Sequence, residues 1–221
     1  ANTPESAATP WFEPLTDHGV EFVHRSGEQG EYRLMASMCG GVALFDADGD
    51  GDLDLYLVQA GDLDDPTARE PNRLYLNDSA GRFRDITETS GTGDRGYGMG
   101  VACGDFDGDG LIDLYVTNMG PNVLYRNRGD GTFEDVTAVA DVGDAGYSTA
   151  AAFFDADGDG DLDLWVVNYL DWQEAFNRRT CFNQLGTADY CVPTAYNAPS
   201  TDRLYRNDGD GTFTDISVAA G

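Results

Sequence analysis

The chain has 221 residues, of which 41% are hydrophobic and 11% aromatic; this is enough to bury a core and excludes disorder throughout. Its formal charge is −27 and all 13 basic residues are arginine, which excludes a Schiff-base or phosphate-loop lysine and argues against nucleic acid or anionic lipid as a partner. No apolar run approaches the roughly 18 residues that cross a bilayer, so no membrane insertion is expected.

Residues 1–10 are rich in Ala, Thr, Ser and Pro, which reads as a flexible leader after a cleavage site and points to a secreted or cell-surface protein. Residues 11–221 read as one repeat domain. Trp11 to Thr16 (WFEPLT) match the last segment of the repeat and are expected to form an N-terminal strand. Three fuller copies follow, at about 38–90, 97–140 and 147–219. The first reads GGVALFDADGDGDLDLYLV, then NRLYLN, then GRFRDIT; the second reads GVACGDFDGDGLIDLYVTN, NVLYRN, GTFEDVT; the third reads STAAAFFDADGDGDLDLWVVN, DRLYRN, GTFTDIS.

Spacing separates the fixed parts of the repeat from the free ones. From tyrosine to phenylalanine (Tyr75 to Phe83, Tyr125 to Phe133, Tyr205 to Phe213) the distance is always 8 residues, whereas from the leading aspartate to that tyrosine it is 29, 20 and 50. All insertion therefore falls in the second-to-third strand connection. Leu53, Leu55 and Leu57 alternate with Asp54, Tyr56 and Val58, a strand pattern apolar on both faces, as for a sheet packed between neighbours. The Asn, Asp and Gly between third and fourth strands are hairpin chemistry. The expected fold is all-β, with three four-stranded propeller blades plus the N-terminal strand, incomplete as a closed propeller. Tyr56, Tyr115 and Trp165 share one blade position and are expected between blades.

Each first-to-second strand connection is a carboxylate loop of the form D-x-D-x-D-G-x-x-D. The three loops hold 14 of the 40 acidic groups, a density of like charge that is costly without a cation. By spacing, positions 1, 3, 5 and 9 supply side-chain oxygens. These are Asp46, Asp48, Asp50 and Asp54, then Asp105, Asp107, Asp109 and Asp113, then Asp155, Asp157, Asp159 and Asp163. Position 7 (Asp52, Leu111, Asp161) supplies a backbone carbonyl, and the glycine at position 6 permits the sharp turn. Leu111 is informative because the second copy gives up a carboxylate only where a carbonyl suffices. Hard oxygen donors at this spacing select Ca²⁺ at three sites, and position 12 (Leu57, Val116, Val166) lies within strands, unlike the glutamate of an EF-hand.

These loops, together with FEPLTDHGVEFVH, GYGMGVACGDFDGDGLIDLYVTN and NYLDW, resemble the FG-GAP/VCBS-type calcium propellers. Within them the resemblance is most specific to the secreted cartilage-acidic-protein and ASPIC/UnbV-like group. It covers essentially residues 11–221 and implies an extracellular, calcium-bound propeller used for binding or assembly, with no catalytic activity carried over onto named residues. Family members are generally longer, and three blades do not close a ring. Either the chain belongs to a longer propeller or copies associate, as a ring or helical fibre, with Trp11 to Thr16 as a candidate donated strand.

Cys181 and Cys191 lie in the long third insert, where no other core is expected to fix the loop, and are expected to form a disulfide. Cys39 and Cys103 sit in first strands, as an inter-blade pair or as buried thiols. His18 and His24 carry no metal-ligand pattern, and Asn77-Asp78-Ser79 is a glycosylation sequon. Expected partners are protein, glycan or further copies of the chain. A calcium-dependent propeller hydrolase, lyase or phytase is the competing class. A phytase would need clustered basic residues, and adjacent arginines occur only at Arg178-Arg179.

Overall fold

The computed structural model describes residues 14–173, 176 and 179–221; the leader and Trp11 to Glu13 lie outside the described residues. Three antiparallel sheets of four strands follow one another along the chain. The first comprises β1 (Gly41–Phe45), β2 (Asp54–Val58), β3 (Arg73–Asn77) and β4 (Phe83–Asp85), and the second β5 (Tyr97–Gly104), β6 (Asp113–Met119), β7 (Val123–Asn127) and β8 (Phe133–Asp135). The third is built from β9 (Ser148–Phe154), β10 (Asp163–Asn168), β13 (Arg203–Asn207) and β14 (Phe213–Asp215). Its second-to-third connection carries a two-stranded ribbon, β11 (Cys181–Phe182) with β12 (Ala188–Asp189).

Register is the same in every blade. Leu55 faces Tyr75, Leu114 faces Tyr125 and Leu164 faces Tyr205. First strands neighbour one another, β1 beside β5 and β5 beside β9, so they form the inner edge of an array that is not closed among the described residues. Blades 1 and 2 bury Phe45, Tyr56, Val58 and Leu74 against Leu114, Val116, Tyr125 and Phe133. Blades 2 and 3 bury Phe106, Tyr115 and Leu124 against Leu164, Val166, Tyr205 and Phe213. Removal of this apolar area from water, rather than ladder bonding alone, joins consecutive blades.

Tyr56 and Tyr115 are fully buried, their hydroxyls donating to the carbonyls of Thr92 (2.9 Å) and Val142 (2.7 Å). Trp165, expected to be equally enclosed, is exposed. Its two counterparts are covered by the following blade, and among the described residues no sheet follows the third. A second difference lies at the start, where Pro14 to Thr16 form no strand. The segment instead meets blade 1 through isolated bonds: the His18 carbonyl accepts from Phe83 N, and the Glu21 carbonyl from the Tyr75 hydroxyl.

After each fourth strand the chain makes one helical turn, α1 (Thr87–Ser90), α2 (Thr137–Ala140) or α3 (Ser217–Ala220). The first hydroxyl of each turn accepts a third-strand amide, from Leu74, Leu124 or Leu204. This explains the recurring Asp-(Ile/Val)-(Thr/Ser), which sequence reasoning took only as the end of a strand.

Cys181 and Cys191 form a disulfide, but the insert is not without a core of its own. Trp172, Phe176 and Tyr196 pack on one another, and Trp172 also meets Tyr147 edge-on; Leu34, Met35, Tyr97 and Met99 are among the residues that share the cluster. Aromatic burial and the crosslink therefore fix the same loop. With the cysteines only 10 positions apart in sequence, the C181S/C191S variant is expected to lose about 2–3 kcal/mol by loop-closure entropy, read by urea unfolding. Cys39 and Cys103 are free, and Cys103 is exposed rather than buried, so neither an inter-blade disulfide nor a pair of enclosed thiols forms.

Candidate metal centre

The loops join β1 to β2, β5 to β6 and β9 to β10, each starting one residue after the inner strand ends. Two glycines shape each loop. Those at position 6 have φ of +92° (Gly51), +89° (Gly110) and +101° (Gly160); those at position 4 have +79° (Gly49), +72° (Gly108) and +82° (Gly158). Only glycine takes such values without strain. The position 4 glycine was missed by sequence reasoning, although its recurrence in all three copies carried the signal.

Position 9 opens the second strand and is wholly buried (Asp54, Asp113, Asp163). Each carboxylate spans the loop. Oδ2 accepts from the position 2 amide of Ala47 (2.7 Å), Phe106 (3.0 Å) or Ala156 (2.8 Å). Oδ1 accepts from the amides of Asn77, Asn127 and Asn207, each at 2.8 Å. Those asparagines, a recurring part of the third strand, return their side-chain amides to the position 8 carbonyls of Leu53, Ile112 and Leu162. Asn77 is thus a structural clamp, its side-chain amide nitrogen bonded to the Leu53 carbonyl within the blade. Asn207 also donates to the Phe106 carbonyl at 2.7 Å, and Phe106 packs on Phe213, so the second loop is braced by the third blade.

Position 1 staples the turn, Asp46 accepting from Gly49 and Gly51, Asp105 from Asp109 and Gly110, and Asp155 from Gly158 and Gly160. Carboxylate oxygens then converge. Asp46, Asp48 and Asp50 bring carboxylate atoms within 4.8 Å of one another, as do Asp105, Asp107 and Asp113, and Asp155, Asp157 and Asp163. Asp54, Asp109 and Asp159 stand outside these triads; Asp109 and Asp159 turn an oxygen to the amides of Leu111 and Asp161. Position 7 side chains face the third-to-fourth strand hairpin. Asp52 accepts from the Ser79 hydroxyl, while Cβ atoms on Gly129 and Gly209 would lie 3.1 Å from Leu111 Cδ1 and 2.9 Å from Asp161 Oδ2.

Burial pushes Asp113 up to about 7, with the charges of Asp107 and Asp109 adding to the rise. Burial likewise raises Asp54, and Asp48 and Asp50 add to it. Carboxylates that resist ionisation together are what a divalent cation relieves, and a donor set of oxygen alone suits a hard ion. The residues present fit such an ion. His18 and His24 join none of the clusters among the described residues; His18 Nδ1 accepts from Val20 N, and burial lowers His24.

Among solved structures, the chain is similar to an Agrocybe aegerita lectin described as recognising non-reducing terminal N-acetylglucosamine, at 18% identity and a TM-score of 0.42. The match covers 80% of this chain, which spans 38% of the lectin's length. No curated protein sequence matches. The sequence model of the FG-GAP-like repeat matches residues 46–116 and again 105–166, from one carboxylate loop into the strand after the next. Those two matches together take in more than half of the chain, which belongs to the FG-GAP-like repeat family.

Proposed function

We propose that the protein is a calcium-stabilised extracellular propeller module for recognition or assembly, of the cartilage-acidic-protein and ASPIC/UnbV-like kind, with no catalytic step. One observation carries this reading: the same loop recurs at the same corner of three blades, each with a converging triad of carboxylates. Calcium would be held by Asp46, Asp48 and Asp50, by Asp105, Asp107 and Asp113, and by Asp155, Asp157 and Asp163. Asp54, Asp109 and Asp159 and the position 7 carbonyls lie within the same nine residues. The ion would neutralise like charge and fix the corner between the inner and second strands; the chain's own residues hold the turn and exclude water from position 9.

An extracellular setting is favoured by the Cys181–Cys191 crosslink and by the millimolar calcium found there, which fills sites of about 10⁻⁴ to 10⁻³ M. Protein, glycan or another copy of the chain are the partners that a strongly acidic surface leaves open. Isothermal titration of calcium into the metal-stripped chain tests the reading. Saturable heat approaching three ions per chain, with weaker binding of magnesium, is expected; an absence of calcium binding up to 10⁻² M, well above the ~10⁻³ M limit for such modules, would overturn it.

A further inference from the structure

The carboxylate loops are built alike, but what stands beside them is not. One residue before the clamping asparagine, the third strand carries Leu76 in blade 1 and Arg126 in blade 2. These two blades are comparable because each has a following blade packed against it. Beside the first loop the space is filled with apolar atoms. Leu76 is 9% exposed within the core between blades 1 and 2, and a Cβ on Gly131 of the blade 2 hairpin would stand 3.6 Å from Leu76 Cδ1 and 3.7 Å from Asp48 Cβ.

Beside the second loop the corresponding place is a polar cavity of about 330 Å³, lined by Asp107, Arg126, Asp161 and the blade 3 hairpin from Gly209 to Gly211. Arg126 faces Glu134 across the strand pair and donates from Nη2 to its Oε2 at 2.6 Å, with 43% of the arginine side chain exposed. The hydrogen bond to Glu134, and then the charges of Glu134, Asp107 and Asp113, hold the guanidinium above its ordinary value. Arg126 thus stands in the field of two of the converging carboxylates, while its hydrogen bond goes to the outer strand. The second loop is also the poorer in carboxylate, because Leu111 stands where the first loop has Asp52.

We propose that Arg126 sets the cation affinity of the second loop below that of the first, so that the corner of blade 1 fills at lower calcium than the corner of blade 2. This rests on the metal reading above and deepens it. A positive side chain beside a divalent ion repels it, and a rim with one carboxylate fewer attracts it less. At the high dielectric of an exposed rim each difference is worth about 3- to 10-fold in dissociation constant. Glu134 moderates the effect, since it draws the guanidinium towards the outer strand and neutralises part of its charge. The loops are therefore graded rather than equivalent, and the grading is written in the third strand and not in the D-x-D-x-D-G-x-x-D pattern.

The position 6 glycine reports each loop separately by NMR, because the Gly51 and Gly110 amides donate to Oδ2 of Asp46 and Asp105. When calcium is titrated into the metal-stripped, isotope-labelled full chain, Gly51 is expected to reach half-saturation at a concentration about 10-fold or more below Gly110. Arg126→Leu gives blade 2 the residue that blade 1 already has. It is expected to tighten the Gly110 midpoint about 3- to 10-fold and to leave Gly51 in place, whereas Arg126→Lys keeps the charge and stays close to the native chain. Glu134→Gln, which frees the guanidinium, is expected to weaken Gly110 about 3-fold. In about 0.5 M sodium chloride the gap between the native chain and Arg126→Leu narrows, which a packing effect would not produce. A Gly110 midpoint that Arg126→Leu leaves unmoved, or that lies at or below the Gly51 midpoint in the native chain, overturns the proposal while the metal reading stands. If neither amide responds to calcium up to about 10⁻² M, the metal reading falls and the proposal with it.

Discussion

Stripping calcium with EDTA is expected to lower the melting temperature by about 15–30 °C relative to a saturating concentration, and re-addition to restore it. An ion that binds only the folded chain stabilises it by about 2.7 kcal/mol at 100 times its dissociation constant, so three filled loops reach about 8 kcal/mol. For a chain of this size each kcal/mol moves the midpoint by about 2–4 °C. The cage does not exist in the unfolded chain, so all of the binding free energy enters folding. Without the ion, Asp46, Asp48 and Asp50 hold their oxygens within 4.8 Å of one another, and the repulsion is borne by the turn. Sodium chloride at equal ionic strength controls for screening, because it shields exposed carboxylates without occupying a cage. Equal midpoints in EDTA and in calcium would remove the metal from the account.

The blades were legible because three copies in register give three readings of every position. The tyrosine-to-phenylalanine spacing located the hairpins between third and fourth strands. What escaped was of two kinds. Gly49, Asn77 and the turn at Thr87–Ser90 recur in all copies, yet their roles lie in backbone geometry and in amide bonds across strands, which residue type alone does not specify. Trp165, Pro14 to Thr16 and the packing of the insert were misread for the opposite reason, because among the described residues no neighbouring repeat unit matches them. Among the described residues Trp165 lacks the neighbour its counterparts have, and Trp172, Phe176 and Tyr196 form a core from segments no repeat describes.

The largest single-residue effect is expected at Asp113, and it should persist without calcium. Asp113→Ala leaves the Phe106 and Asn127 amides, now bonded at 3.0 and 2.8 Å, without acceptors inside the blade. Each buried donor left unpaired costs about 1–3 kcal/mol, so a loss of about 4 kcal/mol and a midpoint lower by about 8–16 °C are expected in EDTA. Asp113→Asn keeps one acceptor oxygen of the same shape and should lose about half as much. Asp109→Ala is the contrasting variant, since Asp109 is exposed and its Oδ1 accepts only from the Leu111 amide in the turn. Its stability in EDTA should stay within about 1 kcal/mol of the parent, while the gain on adding calcium shrinks. If Asp113→Ala in EDTA melts with the parent chain, the buried carboxylate is not the clamp that holds the loop to the third strand. If Asp109→Ala keeps the full calcium gain, position 5 is no ligand. On the expected outcomes position 9 shapes the loop from within, and the exposed carboxylates at the rim would set how strongly the shaped loop draws in a cation.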